Sequence, residues 1–295
     1  MSQILLIGGT GYVGTEFQRV LSARNLKYLN ISREHHDYYD MCLLRDIIDT
    51  TGADFVINAA GFTGKPNVDQ CEVMRGETIR GNVLLAQIVA QACDLTSTPL
   101  VHVSSGCIYS GHKHEQPDGT LIGFHEEDEP NFSFDNPPCS FYSGTKALSE
   151  QVLSEFEQVY TCRLRIPFDQ HDSPRNYLSK MQLYSKVYDA TNSMSHREEY
   201  VNACVDLAMM RCEYGTYNVT NTGYVTTRQV VDMIKQELSL DREFEYWLDD
   251  QEFYNNGAST PRSNCVMDNT KLLITGIHMR DVQEAIQCSL NNWSK

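Results

Sequence analysis

The feature that most constrains this chain is Gly8-Gly9-Thr10-Gly11-Tyr12-Val13-Gly14. It follows the apolar run Gln3–Ile7 and opens a segment, Tyr12–Ser22, with helical spacing of apolar residues. Glycines 8, 11 and 14 form G-x-x-G-x-x-G, and glycines 9, 11 and 14 also fit G-x-G-x-x-G. In either register glycine permits a tight turn and close approach of backbone to an anion, and the helix N-terminus offers unpaired N–H groups to it. A strand, this turn and a helix commit the chain to an open α/β sheet that binds a dinucleotide. Gly8, Thr10, Gly11, Tyr12, Val13 and Gly14 are the expected cofactor-binding residues there.

The alternation continues. Lys27–Ile31, Asp54–Asn58, Leu100–Ser104 and Cys162–Ile166 read as strands. Leu43–Thr50, Glu77–Ala92 and Tyr142–Tyr160 read as helices. Strand and helix in turn predict a doubly wound parallel sheet with helices on both faces. Residues 1–166 form the expected nucleotide-binding domain, and residues 167–295 form mainly a smaller lobe. A segment near 196–222, with a strand at 215–220, returns to the main sheet. The polar stretch Gly106–Cys139 reads as a long functional loop.

Charge and cysteine usage narrow the function. A net charge of −15 argues against nucleic acid, which requires a basic face. No apolar stretch reaches the length of a membrane span, and no basic n-region precedes the first strand. The ten cysteines contain no Cys-x-x-Cys pair, so reduced thiols in a cytoplasmic chain are expected, most of them as small core residues. His112-Lys113-His114-Glu115 lacks a second ligand pair, so no metal site is expected. Tyr246, Trp247, Phe253 and Tyr254 read as core of the smaller lobe.

The second strand ends in Asn30-Ile31-Ser32-Arg33 without an acid at its tip. An acid there would take the ribose of NAD; Ser32 and Arg33 suit a 2′-phosphate, which favours NADPH and leaves NADH open. The other reading of Arg33, beside Glu34, is a solvated charge. Ser105 lies at the carboxyl edge of the sheet, where ligands bind. Tyr142 and Lys146 share a helix face at i, i+4. A nearby ammonium is expected to lower the tyrosine's pKa for proton exchange with a carbonyl substrate.

Gly8-x-x-Gly11-x-x-Gly14, Asn58-Ala59-Ala60-Gly61, Ser105 and Tyr142-x-x-x-Lys146 together resemble the extended short-chain dehydrogenase/reductase family. The resemblance implies a Rossmann-type fold with a C-terminal substrate-binding lobe, and adds Asn58, Ala59, Ala60 and Lys146 to the cofactor contacts. It also implies hydride transfer to a ketone, with Tyr142 protonating the alkoxide and Ser105 orienting the carbonyl. Further stretches resemble one branch, the bifunctional 3,5-epimerase/4-reductases of UDP-L-rhamnose synthesis in plants and giant viruses. These are 61–69, Glu77-Thr78-Ile79-Arg80-Gly81-Asn82, Gly106-Cys107-Ile108-Tyr109, 127–132, 174–180, Asn192-Ser193-Met194 and Pro261-Arg262-Ser263-Asn264.

That branch implies UDP-4-keto-6-deoxy-D-glucose as substrate, a separate upstream dehydratase to supply it, and a homodimer. It implies Cys107 and Lys180 as the acid–base pair of epimerisation, with the order between them open. Without it, Cys107 reads as a small core residue. Lys65, Asn82, Arg175, Asn176, Arg262 and Asn264 become substrate-binding candidates, each equally readable as structural. Two alternatives remain: a dTDP-4-dehydrorhamnose-type reductase without epimerase activity, and a non-catalytic NADP-binding regulatory subunit.

Overall fold

Gln3–Ile7 (β1) is buried on both faces, so its apolar run needs no alternation. The computed structural model describes residues 3–65 and 67–294; Pro66, inside one of the motifs above, and residues 1, 2 and 295 lie outside the described residues. β1 is joined in parallel by Lys27–Ile31 (β2) on one side and Phe55–Asn58 (β3) on the other. Leu100–Ser105 (β4), Val159–Leu164 (β5) and Gly215–Asn218 (β6) complete the order β6-β5-β4-β3-β1-β2. All five pairings are parallel. The strand order reverses between β1 and β3, so the glycine turn stands at the switch point where such sheets bind ligands.

Two apolar layers sandwich the sheet. Helices Tyr12–Ala23 and Arg197–Met209 contribute Phe17, Leu21, Tyr200, Cys204 and Val205 to one. Helices Met41–Thr51 and Leu85–Leu95 contribute Leu44, Ile48, Val89 and Cys93 to the other. A third cluster, with Leu178, Val230, Ile234, Ile286 and Leu290, is the core of the helices Tyr177–Leu183, Thr227–Glu237 and Val282–Asn291 beyond β5.

Several sequence readings shift. The helix beginning near Tyr142 stops at Leu153 instead of running to 160, and β5 occupies 159–164 instead of 162–166. Pairing with β4 draws Val159–Thr161 into the ladder. The helix read as 77–92 is composite. It runs through Arg75–Ile79, a π turn at Arg80–Leu84 and Leu85–Leu95, and the π turn packs on Phe141–Leu153. The 106–139 stretch holds a 3₁₀ turn, Gly106–Ile108, and a hairpin pairing His114–Glu115 with Leu121–Ile122. Five cysteines (71, 93, 162, 204 and 265) are buried, whereas Cys42 and Cys288 are exposed. Tyr188, Trp247, Phe253 and Tyr254 form a stacked, only half-buried aromatic group.

The glycine turn is an interlock. A Cβ on Gly14 would lie 2.0 Å from the Gly8 carbonyl oxygen, and one on Gly8 (φ +82°) 2.5 Å from Ala60 N. At Gly11 the nearest atom is 3.4 Å away. Gly14→Ala is therefore expected to cost about 2–3 kcal/mol in urea unfolding, the overpacking range. Gly11→Ala should cost under about 1 kcal/mol, since its φ of −76° suits alanine. Equal losses in the two variants would refute the interlock.

Candidate active site

β4 ends in Ser104 and Ser105, both buried, beside the helix Phe141–Leu153. Ser140 caps that helix by accepting from Ser143 N at 3.1 Å. Its first turns, including Tyr142, Thr145 and Lys146, are buried against the sheet edge. Glu150 fixes the helix: it receives Ser104 Oγ at 2.5 Å and pairs with Arg163 of β5 at 2.8 Å. Lys146 Nζ donates to the Val103 carbonyl at 3.0 Å. Ser105 Oγ caps the 3₁₀ turn by accepting from Cys107 N at 3.2 Å. Ser105, Cys107, Tyr142 and Lys146 therefore lie together at the carboxyl end of β4.

The electrostatics differ from expectation in one respect. Burial pushes the Tyr142 phenol up, Cys107 adds to the rise, and Ser105 and Arg165 oppose it without reversing it. Lys146 does not bring it down. The phenol therefore holds its proton at neutral pH and suits an acid that donates to a developing alkoxide. Burial lowers the Lys146 ammonium to about 8, with Glu150 and Cys107 opposing the fall.

The cofactor cradle fits a pyrophosphate. Gly11 is the N-cap of a 12-residue helix and supplies no capping side chain, so the first-turn N–H groups of Tyr12, Val13 and Gly14 face outward. Thr10 and Gly11 are exposed, and Gly9 lies beneath the turn against Asn30. Behind it Arg197 sits over the Tyr12 ring at 4.3 Å and pairs with Asp169 and Glu16. Past β2, a cavity of ≈ 410 Å³ is lined by Arg33, His36, Asp37, Tyr39, Glu77 and Arg80. Ser32, next to Arg33 in the chain, is half-buried, and Ala59 and Ala60 flank the glycine turn. Arg80, lying over the Tyr39 ring at 4.4 Å, is a second cation there that the sequence reading did not single out.

The substrate-side candidates divide. Arg175 reaches from the smaller lobe to Thr63 Oγ1 (3.1 Å) and the Gly64 carbonyl (3.0 Å). Arg262 makes a two-point pair with Asp69, at 2.8 and 2.9 Å. Both stand near Lys180, whose amine is lowered by burial first and then by Arg175 and Arg262. Lys65 is exposed on the same loop. Asn264 lines a second cavity, of ≈ 340 Å³, with Ser110, His112, Tyr188, Asp250 and Arg262.

Three asparagines correct the reading. Asn176 is fully buried as the cap of Tyr177–Leu183, and its amide donates to Asp169 and His171. Asn82 is spent on Phe62 and Thr145. The Asn58 side chain is buried between Ala60 N and His102. With donors and acceptors used internally, these residues shape the site from behind and do not present side chains to a ligand.

The residue missed most clearly is Arg165, just past β5. It is 2% exposed and donates from Nη1 to Cys107 Sγ at 3.1 Å. The signal was present: Cys162-Arg163-Leu164-Arg165-Ile166 puts two arginines at alternate positions of a strand flanked by strands on both sides, where apolar residues are the rule.

A glycine cradle at the switch point and a Ser–Tyr–Lys cluster at the sheet edge define an extended short-chain dehydrogenase/reductase. The chain belongs to the family described as "RmlD substrate binding domain", whose model matches residues 1–294. It is 34% identical, over 96% of its length and 90% of the relative's, to a bifunctional dTDP-4-dehydrorhamnose 3,5-epimerase/dTDP-4-dehydrorhamnose reductase of Arabidopsis thaliana. Its fold is similar to that of a UDP-rhamnose synthase from Acanthamoeba polyphaga mimivirus, with a TM-score of 0.88 and 23% identity over 98% of this chain and 99% of that one. It is also similar to a Bacillus anthracis dTDP-4-dehydrorhamnose reductase in complex with NADP, with a TM-score of 0.80 and 19% identity over 98% of each chain. Among the described residues no helix is long and apolar enough to cross a membrane.

The depressed Lys146 pKa carries a stability consequence. Between about pH 8 and 10.5 the unfolded chain binds more protons here than the folded one, so the native protein gains stability as pH rises through that window. Lys146→Met removes the buried charge. It is expected to be more stable than the native chain by about 1–3 kcal/mol at pH 7, with the difference shrinking toward pH 10.5, in chemical unfolding across pH. A constant difference at all pH values would contradict a buried, depressed ammonium.

Proposed function

We propose that the chain is an NADPH-dependent nucleotide-sugar 3,5-epimerase/4-keto-reductase that converts UDP-4-keto-6-deoxy-D-glucose into UDP-L-rhamnose. The observation that carries it is the placing of a thiol, Cys107, beside Ser105, Tyr142 and Lys146. The relative from Arabidopsis, named for both activities, supports the pairing.

In this reading Gly8, Thr10, Gly11, Tyr12, Val13 and Gly14 hold the pyrophosphate, with Ala59, Ala60 and Lys146 along the dinucleotide. Ser32, Arg33 and Arg80 receive the 2′-phosphate. When bound, NADPH supplies the hydride. Ser105 orients the sugar ketone, and Tyr142, protonated at neutral pH, gives its proton to the C4 oxygen. Lys180, Arg175, Arg262, Lys65 and Asn264 lie on the nucleotide-sugar side.

Positions 3 and 5 flank the ketone, so losing either C–H proton gives an enolate whose oxygen Ser105 and Tyr142 stabilise. Inversion requires the proton to leave one face and return to the other. Cys107 and Lys180 are the assigned pair, one at the sheet edge and the other on the helix Tyr177–Leu183. Epimerisation must precede reduction, because it depends on the ketone. A separate dehydratase then has to supply the keto-sugar. Uridine as the base, and a homodimer, belong to the same proposal.

Incubating the protein with the keto-sugar in deuterated water, without NADPH, should place deuterium at both C3 and C5, read by mass spectrometry and NMR. Cys107→Ala should lose that exchange by at least about 100-fold while keeping NADPH binding. A native protein that reduces the ketone with no deuterium incorporated would establish the reductase-only reading. No NADPH oxidation at all would favour the regulatory-subunit reading.

Cofactor choice is tested separately. Arg33→Ala should weaken NADPH about 10- to 100-fold, the worth of a charge-assisted hydrogen bond, and leave NADH nearly unchanged in fluorescence titration. Equal effects on both cofactors would remove Arg33 from the 2′-phosphate site.

A further inference from the structure

We propose that Arg165 is a positioning residue that holds the Cys107 sulfur as a thiolate facing the substrate cleft. This rests on the reading of Cys107 as a proton-transfer group. The starting observation is an imbalance of charge. Two arginines, Arg163 and Arg165, are buried at the end of the same strand. Arg163 has its counter-charge in Glu150, at 2.8 Å. Arg165 has none: its guanidinium donates to Asn192 Oδ1, to the Ser263 carbonyl at 2.6 Å and to Cys107 Sγ at 3.1 Å. Among the described residues no carboxylate pairs with it, and its Nε is buried without a partner.

A guanidinium does not deprotonate in a protein, and a buried charge without a counter-ion is costly. Of the groups at hydrogen-bonding distance, Asn192 and Ser263 offer neutral oxygens. Only the Cys107 sulfur can become an anion. The geometry around it is consistent with that state. Cys107 sits in a 3₁₀ turn fixed at its start by Ser105, and the residue is only partly buried.

The other ionisable groups facing Cys107 are Tyr142 and Lys146 of the catalytic helix and Cys265 of the 263–267 segment. Lys146 adds a second positive charge when protonated, and no carboxylate among them opposes it. The backbone marks the same place: Ile166, immediately after Arg165, has φ +35°, a conformation that β-branched residues avoid. Asn192 and Ser263 lie in two of the motifs quoted above, and here they act as clamps on the arginine. An anionic sulfur accepts a proton. In the epimerising step the sugar C–H bond breaks and an S–H bond forms, while the electron pair moves to the ketone oxygen as an enolate.

The test uses the whole protein and limiting iodoacetamide between pH 6 and 9.5, with peptide mass spectrometry following each cysteine. Exposed Cys42 and Cys288 serve as internal thiols. The expected result is that Cys107 at pH 6.5 is alkylated at least about tenfold faster than either, despite being less accessible, because the thiolate is the reacting form. Arg165→Met should abolish that advantage and Arg165→Lys should keep part of it. Should the methionine variant not fold, the comparison within the native protein still decides. Cys107 reacting no faster than Cys42 and Cys288, or an unaltered advantage in a folded Arg165→Met, would overturn the proposal. Arg165-dependent alkylation without deuterium exchange into the sugar would support the thiolate and defeat the epimerase reading. Exchange without preferential alkylation would do the reverse.

Discussion

The buried pair between Arg163 and Glu150 determines where the chemistry can sit. Arg163 lies on a strand flanked by β4 and β6, so its charge has no route to solvent. Glu150 answers it from the helix Phe141–Leu153 and also takes the hydroxyl of Ser104. Breaking such a pair by removing one partner costs about 3–5 kcal/mol. That penalty pins the helix against the ends of β4 and β5. One turn earlier on the same helix, Lys146 meets the Val103 carbonyl. One further turn back, Tyr142 is buried beside Ser105. The positions of the phenol and the amine thus follow from neutralising a charge in the sheet.

The other half of the site is held by a different device. The loop after β3 is tied to the smaller lobe by Arg175 on Thr63 and Gly64 and by Arg262 on Asp69. Burial works against the Asp69 carboxyl, but Arg262 and Thr260 hold it below the usual carboxylate range. Lys180 stands among these cations, with its charged form disfavoured. The arginines therefore both join the lobe to the sheet and tune the amine beside them.

The parallel sheet and glycine turn were legible because both rest on local chemistry: apolar strand runs and glycines that no other residue replaces. Ser105, Tyr142 and Lys146 were legible by position relative to that frame. What escaped depends on tertiary pairing. The end of the helix at Leu153 is set by β5 joining β4, which no local signal between 154 and 158 announces. Asn58, Asn82 and Asn176 look like ligand donors in sequence, yet each is consumed by backbone groups that only folding brings near. Arg165 escaped for the opposite reason. Its signal, a charge in a buried strand, is plain, but its meaning depends on the sulfur that it meets.

Placing both chemistries at one ketone is economical in physical terms. Enolate formation and hydride addition each build negative charge on the same C4 oxygen, so the donors that stabilise one also stabilise the other. In the proposed function Ser105 and a protonated Tyr142 serve both. What distinguishes the two steps is the direction of attack on the ring: hydride from the cofactor side, protons exchanged above and below the plane. The former needs only the cradle around Gly8–Gly14. The latter needs groups on two opposed faces, the roles proposed for Cys107 on the turn after β4 and for Lys180 on the helix Tyr177–Leu183. An epimerising reductase of this fold is therefore bound to use its second lobe chemically as well as for binding.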